Sequence, residues 1–64
     1  MVIVDQKFNM PVGSLVEDVD YPQDGVFRIT ERPHTTAYGT EVGVVNAAGR
    51  RFTDYAIFFK PLAR

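Results

Sequence analysis

The chain has no cysteine and no tryptophan, a single histidine, a single serine, and no unbroken apolar run long enough to cross a bilayer. Each absence removes a class of protein. Without thiols there is neither a disulfide nor a thiolate zinc site, and His34 alone cannot anchor a structural zinc. Ser14 and His34, with no cysteine beside them, are too few to assemble a nucleophilic catalytic set. Ser14 follows Gly13 but lacks the Gly-x-Ser-x-Gly elbow. Gly39 and Gly43 fall within a strand pattern, the wrong place for a phosphate-binding loop. The lack of about 18 consecutive apolar residues argues against a spanning helix. The N-terminus also lacks the basic start and long apolar run of a secretory signal. A non-enzymatic, cofactor-free and metal-free cytoplasmic protein is expected, with no membrane partner.

What is present fits a small globular domain. At 64 residues, 45% apolar and 23% charged, the chain has enough apolar content to fold as a single unit over residues 1–64. A chain this short buries a modest fraction of its surface, and hydrophobic gain barely exceeds chain entropy. With disulfides and metals excluded, the remaining source of extra stability is a bound partner or a second copy.

Val, Ile and Thr make up 17 of the 64 residues, and with Phe and Tyr they recur in short runs punctuated by Gly, Pro, Asn and Asp. That pattern reads as mostly β. No stretch of three helical turns keeps an apolar stripe free of Pro and Gly, so any helix is expected to be one turn long. Strands are predicted at residues 2–4, 14–19, 26–32, 40–46 and 57–60, with 51–53 returning from a hairpin loop at 46–49. Residues 21–25 read as a tight turn, in which Pro22 presets φ and Asp24-Gly25 supplies the permissive end. Pro33-His34-Thr35-Thr36 is expected to break the third run, leaving His34 exposed at a loop tip. Gly43 suggests a bulge or a close backbone approach. Residues 54–56 are expected to form one helical or 3-10 turn capped by Asp54, and Pro61 to stop the last strand. The expected core is Val4, Leu15, Val16, Val26, Phe27, Ile29, Val42, Val44, Phe52, Ile57, Phe59 and Leu62.

The order of these signals resembles the SH3-like small barrels, the group that includes Tudor and KOW modules. The segment Phe8-Asn9-Met10-Pro11-Val12-Gly13-Ser14-Leu15-Val16 is similar to the entry of many such barrels. Asp24-Gly25-Val26-Phe27-Arg28-Ile29 looks like a loop glycine opening the second strand. Residues 42–52 resemble the central hairpin, and 54–62 the short turn and closing strand. The resemblance covers roughly residues 8–62 and implies a small five-stranded SH3-like β-barrel that acts as a binding module. An open sheet packed on one short helix is the alternative. The peptide-binding signalling type of SH3 domain matches poorly, because its groove relies on a tryptophan and this chain has none.

Charge is divided unevenly along the chain. Residues 1–24 carry Lys7 against Asp5, Glu17, Asp18, Asp20 and Asp24, whereas residues 25–64 carry Arg28, Arg32, Arg50, Arg51, Lys60 and Arg64 against Glu31, Glu41 and Asp54. The acidic cluster fails the calcium-loop pattern, since Pro22 falls where an oxygen ligand is needed. A solvated acidic loop is its plainest reading. Its functional reading is a surface that docks on a basic patch of another protein, with Asp18, Asp20, Tyr21 and Asp24 as the contact residues. The basic part offers a different site, Arg50, Arg51, Tyr55 and Lys60, in which cations interleave with aromatics as in single-strand or RNA binding. A net charge of −1 disfavours a general nucleic-acid binder.

The leading expectation is therefore a protein-binding module that attaches to a larger host protein as a regulator or inhibitor, in the style of small phage or accessory bacterial proteins. A nucleic-acid-binding module is the first alternative. The second is a structural homo-oligomer subunit, with residues 42–46 or 2–4 pairing between copies.

Overall fold

The computed structural model describes residues 8–62. Five antiparallel strands follow one another: β1 (Leu15–Asp18), β2 (Val26–Thr36), β3 (Gly39–Val45), β4 (Arg51–Tyr55) and β5 (Phe59–Pro61). They form one sheet in the order β4-β3-β2-β1-β5. Two 3-10 turns interrupt them, Pro22–Asp24 before β2 and Ala56–Phe58 before β5. The predicted strand at 2–4 and the core residue Val4 lie outside the described residues. Among the described residues no pairing joins β4 to β5, so the sheet is open and a closed barrel is not formed by its hydrogen bonds.

Alternation of side chains sets the core. Along β2, Phe27 and Ile29 turn inward while Val26 and Arg28 turn out, and along β3 Val42 and Val44 turn inward. Val16, Phe59, Met10 and Ala56 complete the buried set, with Phe8, Phe52 and Phe58 packed partly against it. Phe27 is central: its ring meets Phe52 edge-on at 5.8 Å and Phe59 at 5.5 Å. One aromatic on the middle strand therefore ties both edge strands to the core.

The core differs from expectation at both ends of the sequence pattern. Val26 and Ile57 are exposed, and Leu15 and Leu62 are only half-buried. Val26 follows from strand parity, since it stands one residue from the inward Phe27. Ile57 lies in the second 3-10 turn, where Ala56 takes the inward position and Ile57 is turned out. Met10 is buried by the turn that leads into β1, which puts its side chain in the core while Gly13 and Ser14 continue the pairing with Ile29. Met10 N–H donates to the Phe8 carbonyl at 2.9 Å and Ser14 N–H to the Pro11 carbonyl at 3.0 Å, a local turn that carries Met10 inward.

β2 does not end at residue 32. It runs through Pro33 to Thr36, and His34 is a half-buried strand residue opposite Glu41 rather than an exposed loop tip. The register explains why proline is tolerated. Ile29 pairs with Val44, Glu31 with Gly43 and His34 with Glu41, so β2 inserts an extra residue twice against β3. Pro33 sits in the second of these bulges, fully buried, where its missing N–H costs no ladder bond. Gly43 faces the first. A Cβ there would meet the Glu31 Cβ at 2.7 Å and the Thr30 Oγ1 at 2.9 Å. The close approach read from the sequence at Gly43 is thus real, and the extra residue lies on the neighbouring strand.

The remaining shifts are small. The strand expected at 14–19 is Leu15–Asp18, and that expected at 40–46 is Gly39–Val45. The final turn begins at Ala56, with Tyr55 at its cap position and no side-chain cap. The closing strand accordingly starts at Phe59 and contains Pro61.

Candidate functional site

The acidic loop between β1 and β2 is wired from within. Asp18, the last residue of β1, accepts the N–H of Asp20 at 2.8 Å and of Tyr21 at 3.0 Å through its Oδ1. This reversal feeds Pro22 into the first position of the 3-10 turn, which suits its fixed φ. Asp24 N–H then donates to the Tyr21 carbonyl at 3.0 Å and Gly25 N–H to the Pro22 carbonyl at 3.2 Å. Gly25 leaves the turn at φ +92°, a conformation that favours glycine.

The four acids of this segment therefore have different employments. Glu17 lies opposite Lys60 on β5, its Oε1 3.5 Å from the Lys60 Nζ. Asp18 holds the loop. Asp20 and Asp24 remain exposed, and Tyr21 stands between them, 57% exposed. Of the expected contact set, Asp20, Tyr21 and Asp24 form an outward face, while Asp18 acts as the loop's organiser.

The basic set is divided by the topology. Arg50 ends the 46–50 hairpin, where Asn46 Oδ1 accepts its N–H at 2.9 Å and that of Ala48 at 3.0 Å. Gly49 closes this hairpin at φ +86°, as its place in the sequence suggests. Arg51 and Tyr55 lie at the two ends of β4, on its outer face. Lys60 is on the opposite edge strand, beside Glu17, and does not join them. Arg28 donates from Nη1 to the Gly13 carbonyl at 3.2 Å, which directs it toward the 11–14 turn.

One cleft brings the two candidate regions together. Asp24 from the acidic loop and Arg50 from the hairpin rim a cleft of about 500 Å³, with Phe27, Asn46 and Phe52 forming the rest of its wall. Sequence reasoning named both charged residues but not their meeting. The missing signal was Asn46, which precedes Ala-Ala-Gly and whose side chain folds the hairpin, setting Arg50 at the rim.

The other polar candidates are used structurally. Ser14 donates its hydroxyl to the Pro11 carbonyl at 2.6 Å. His34 Nδ1 lies 3.1 Å from the Arg32 carbonyl, and Thr36 Oγ1 donates to the Gly39 carbonyl at 2.8 Å while accepting the Tyr38 N–H at 3.1 Å. Among the described residues no group of three or more His, Asp or Glu side chains could hold a metal ion. No helix there is long and apolar enough to cross a membrane. No protein-family model, curated protein or solved structure matches this chain.

Proposed function

We propose that this chain is a cytoplasmic, non-enzymatic binding module of SH3-like topology that docks on a larger protein and regulates or inhibits it, as small phage or accessory bacterial proteins do. The fold part of the reading is supported by the β3–β4 hairpin followed by a 3-10 turn and a short closing strand. The binding part is carried by one observation: Asp18 fixes the loop from inside, so Asp20, Tyr21 and Asp24 face solvent in a held arrangement. A loop ordered before contact loses less entropy on binding than a floppy one. Two carboxylates flanking a tyrosine suit a basic partner surface, with the ring supplying apolar contact and the acids steering approach. The nucleic-acid reading is weaker, because Lys60 is paired with Glu17 and separated from Arg50, Arg51 and Tyr55.

The test is affinity capture of the tagged chain from a bacterial lysate, with and without nuclease, using the wild type and an Asp20→Lys, Asp24→Lys variant. The expected result is one stoichiometric protein that survives nuclease and is lost, or weakened about tenfold or more, in the variant. Equal capture by both chains removes the acidic loop from the interface. Partners that vanish with nuclease transfer the site to Arg50 and Arg51.

A further inference from the structure

Among the described residues the backbone of β4 has a side that pairs with no strand, and the ladder shows which groups occupy it. Asn46 N–H donates to the Arg50 carbonyl at 3.0 Å, in the same register as the pairs Val44–Phe52 and Val42–Asp54. Antiparallel ladders alternate, so Phe52 and Asp54 bond to β3 while Arg51, Thr53 and Tyr55 turn their N–H and C=O groups away from it. Tyr55 N–H is intercepted: Asp54 Oδ1 accepts it at 2.8 Å. Among the described residues Arg51 and Thr53 keep outward donors and acceptors, whereas the Tyr55 carbonyl already accepts the first bond of the 3-10 turn that Tyr55 caps and has one lone pair left.

We infer that β4 is a pairing edge and that its occupant is the β4 strand of a second copy, antiparallel and centred on Thr53. The register follows from the residues. With Thr53 opposite Thr53 of the second copy, the two strands match over their whole length, Arg51 against Tyr55 and Phe52 against Asp54. Thr53 N–H and C=O bond reciprocally at the centre, and each Arg51 N–H meets the remaining lone pair of the Tyr55 carbonyl of the other copy, which the 3-10 turn already shares. On the outer face each Arg51 guanidinium lies beside a Tyr55 ring, a favourable cation–aromatic pairing, and no like charges oppose each other. Centring on Asp54 would set two carboxylates face to face and bring the 3-10 turn into the interface. Centring on Phe52 would draw in the 46–50 hairpin, whose Arg50 N–H is already held by Asn46. The Thr53 register is also the one that leaves the Asp54–Tyr55 contact undisturbed. Asp54 acts as a partial guard, removing one donor from the edge and weakening the pairing without abolishing it.

This pairing uses none of the acidic loop, so it stands or falls separately from the docking proposed above. It also corrects the expected homo-oligomer edge: residues 42–45 belong to β3, which is hydrogen-bonded on both sides by β2 and β4 and has no free edge. The other expected edge, residues 2–4, lies outside the described residues.

The test is sedimentation velocity of the full chain across micromolar to millimolar concentrations. The wild type is expected to show a reversible monomer–dimer equilibrium. Thr53→Pro removes the central N–H, which β3 does not use, and should weaken the dimer about tenfold or more while the thermal melt stays cooperative. Arg51→Glu, a surface change that spares the backbone, should also weaken it and decides the matter if the proline variant fails to fold. Asp54→Ala releases the Tyr55 N–H and should tighten the dimer several-fold. A wild type that remains monomeric throughout, or dimerisation unchanged in both Thr53→Pro and Arg51→Glu, overturns the proposal.

Discussion

The two edges of the sheet are built differently. On β5, Leu62 N–H donates to the Leu15 carbonyl at 3.1 Å and Val19 N–H to the Phe58 carbonyl at 2.8 Å, which places Phe59 and Pro61 with their backbone groups outward. Phe59 N–H is nevertheless consumed by the Ala56 carbonyl at the end of the 3-10 turn, and Pro61 has no N–H. Among the described residues the β5 edge presents acceptors without donors. On β4 the same alternation leaves outward donors at Arg51 and Thr53, with a single carboxylate guarding Tyr55. An edge with acceptors alone can form at most half of a ladder's bonds, so pairing is favoured on the β4 side, and an antiparallel assembly through β4 closes at two copies.

The sharpest way to break this comparison is to remove what both edges share. Phe27 touches Phe52 of β4 and Phe59 of β5, and truncating it opens the core beneath the two strands at once. Phe27→Ala should cost about 3–5 kcal/mol, which is comparable to the whole stability of a chain this small. A denaturant or thermal melt should show loss of the cooperative transition. Phe52 is only half-buried, so Phe52→Ala should cost less than Phe59→Ala, and a reversal of that order would mean β4 carries more of the core than its burial shows.

Gly43 tests the route by which β4 is held. It lies on β3 opposite Thr53, and its bare Cα allows the bulged part of β2 to approach. Gly43→Ala should overpack against the Glu31 Cβ and Thr30 and destabilise by about 1–3 kcal/mol, read from the midpoint of a denaturant titration. By contrast, Ala at the exposed Gly49 meets no atom within 4 Å and is opposed only by its φ of +86°. Equal costs at the two positions would show that backbone conformation, not crowding, governs both.

What could be read ahead of the structure was local. Alternation in Val26-Phe27-Arg28-Ile29 and the turn residues at Pro22, Gly25 and Gly49 are short-range signals, and they placed the start of β2, the strand β3 and the turns at 21–25 and 46–49 close to where they stand. Six of the expected core residues, Val16, Phe27, Ile29, Val42, Val44 and Phe59, are buried. Pro33 misled because a proline ends a ladder only where its N–H is needed, and the double register shift that relieves it depends on the partner strand. Met10 and Ala56 were missed for a similar reason: each is buried by a turn, and neither belongs to an alternating run. At the candidate site, Asp20, Tyr21 and Asp24 were legible as charge and aromatic character. The internal role of Asp18 and the meeting of Asp24 with Arg50 depend on side-chain hydrogen bonds and on topology, which composition does not encode.

The β5 edge gives the test that sharpens the comparison without touching the core. Pro61→Ala restores an outward N–H on an exposed strand residue and should cost at most about 1 kcal/mol through added freedom of the unfolded chain. Its larger effect should be on assembly. A chain with donors on both edges can pair at β4 and at β5, and heterologous pairing that does not close grows into open arrays. Sedimentation of Pro61→Ala should therefore show species beyond the dimer, and Thr53→Pro combined with it should remove the β4 contribution and cap growth. If Pro61→Ala behaves as the wild type, the missing donor is not what silences β5, and the Glu17–Lys60 pair across β1 and β5 becomes the next suspect. That pair is solvent-exposed on the lysine side and contributes about 0–1 kcal/mol at most, so Lys60→Ala should leave the melt nearly unchanged. What it can do is keep a charge over the edge, since charged side chains, lysine above all, discourage strand addition. A gain of association in Lys60→Ala, with stability unaltered, would assign the silence of β5 to its side chain rather than to its backbone.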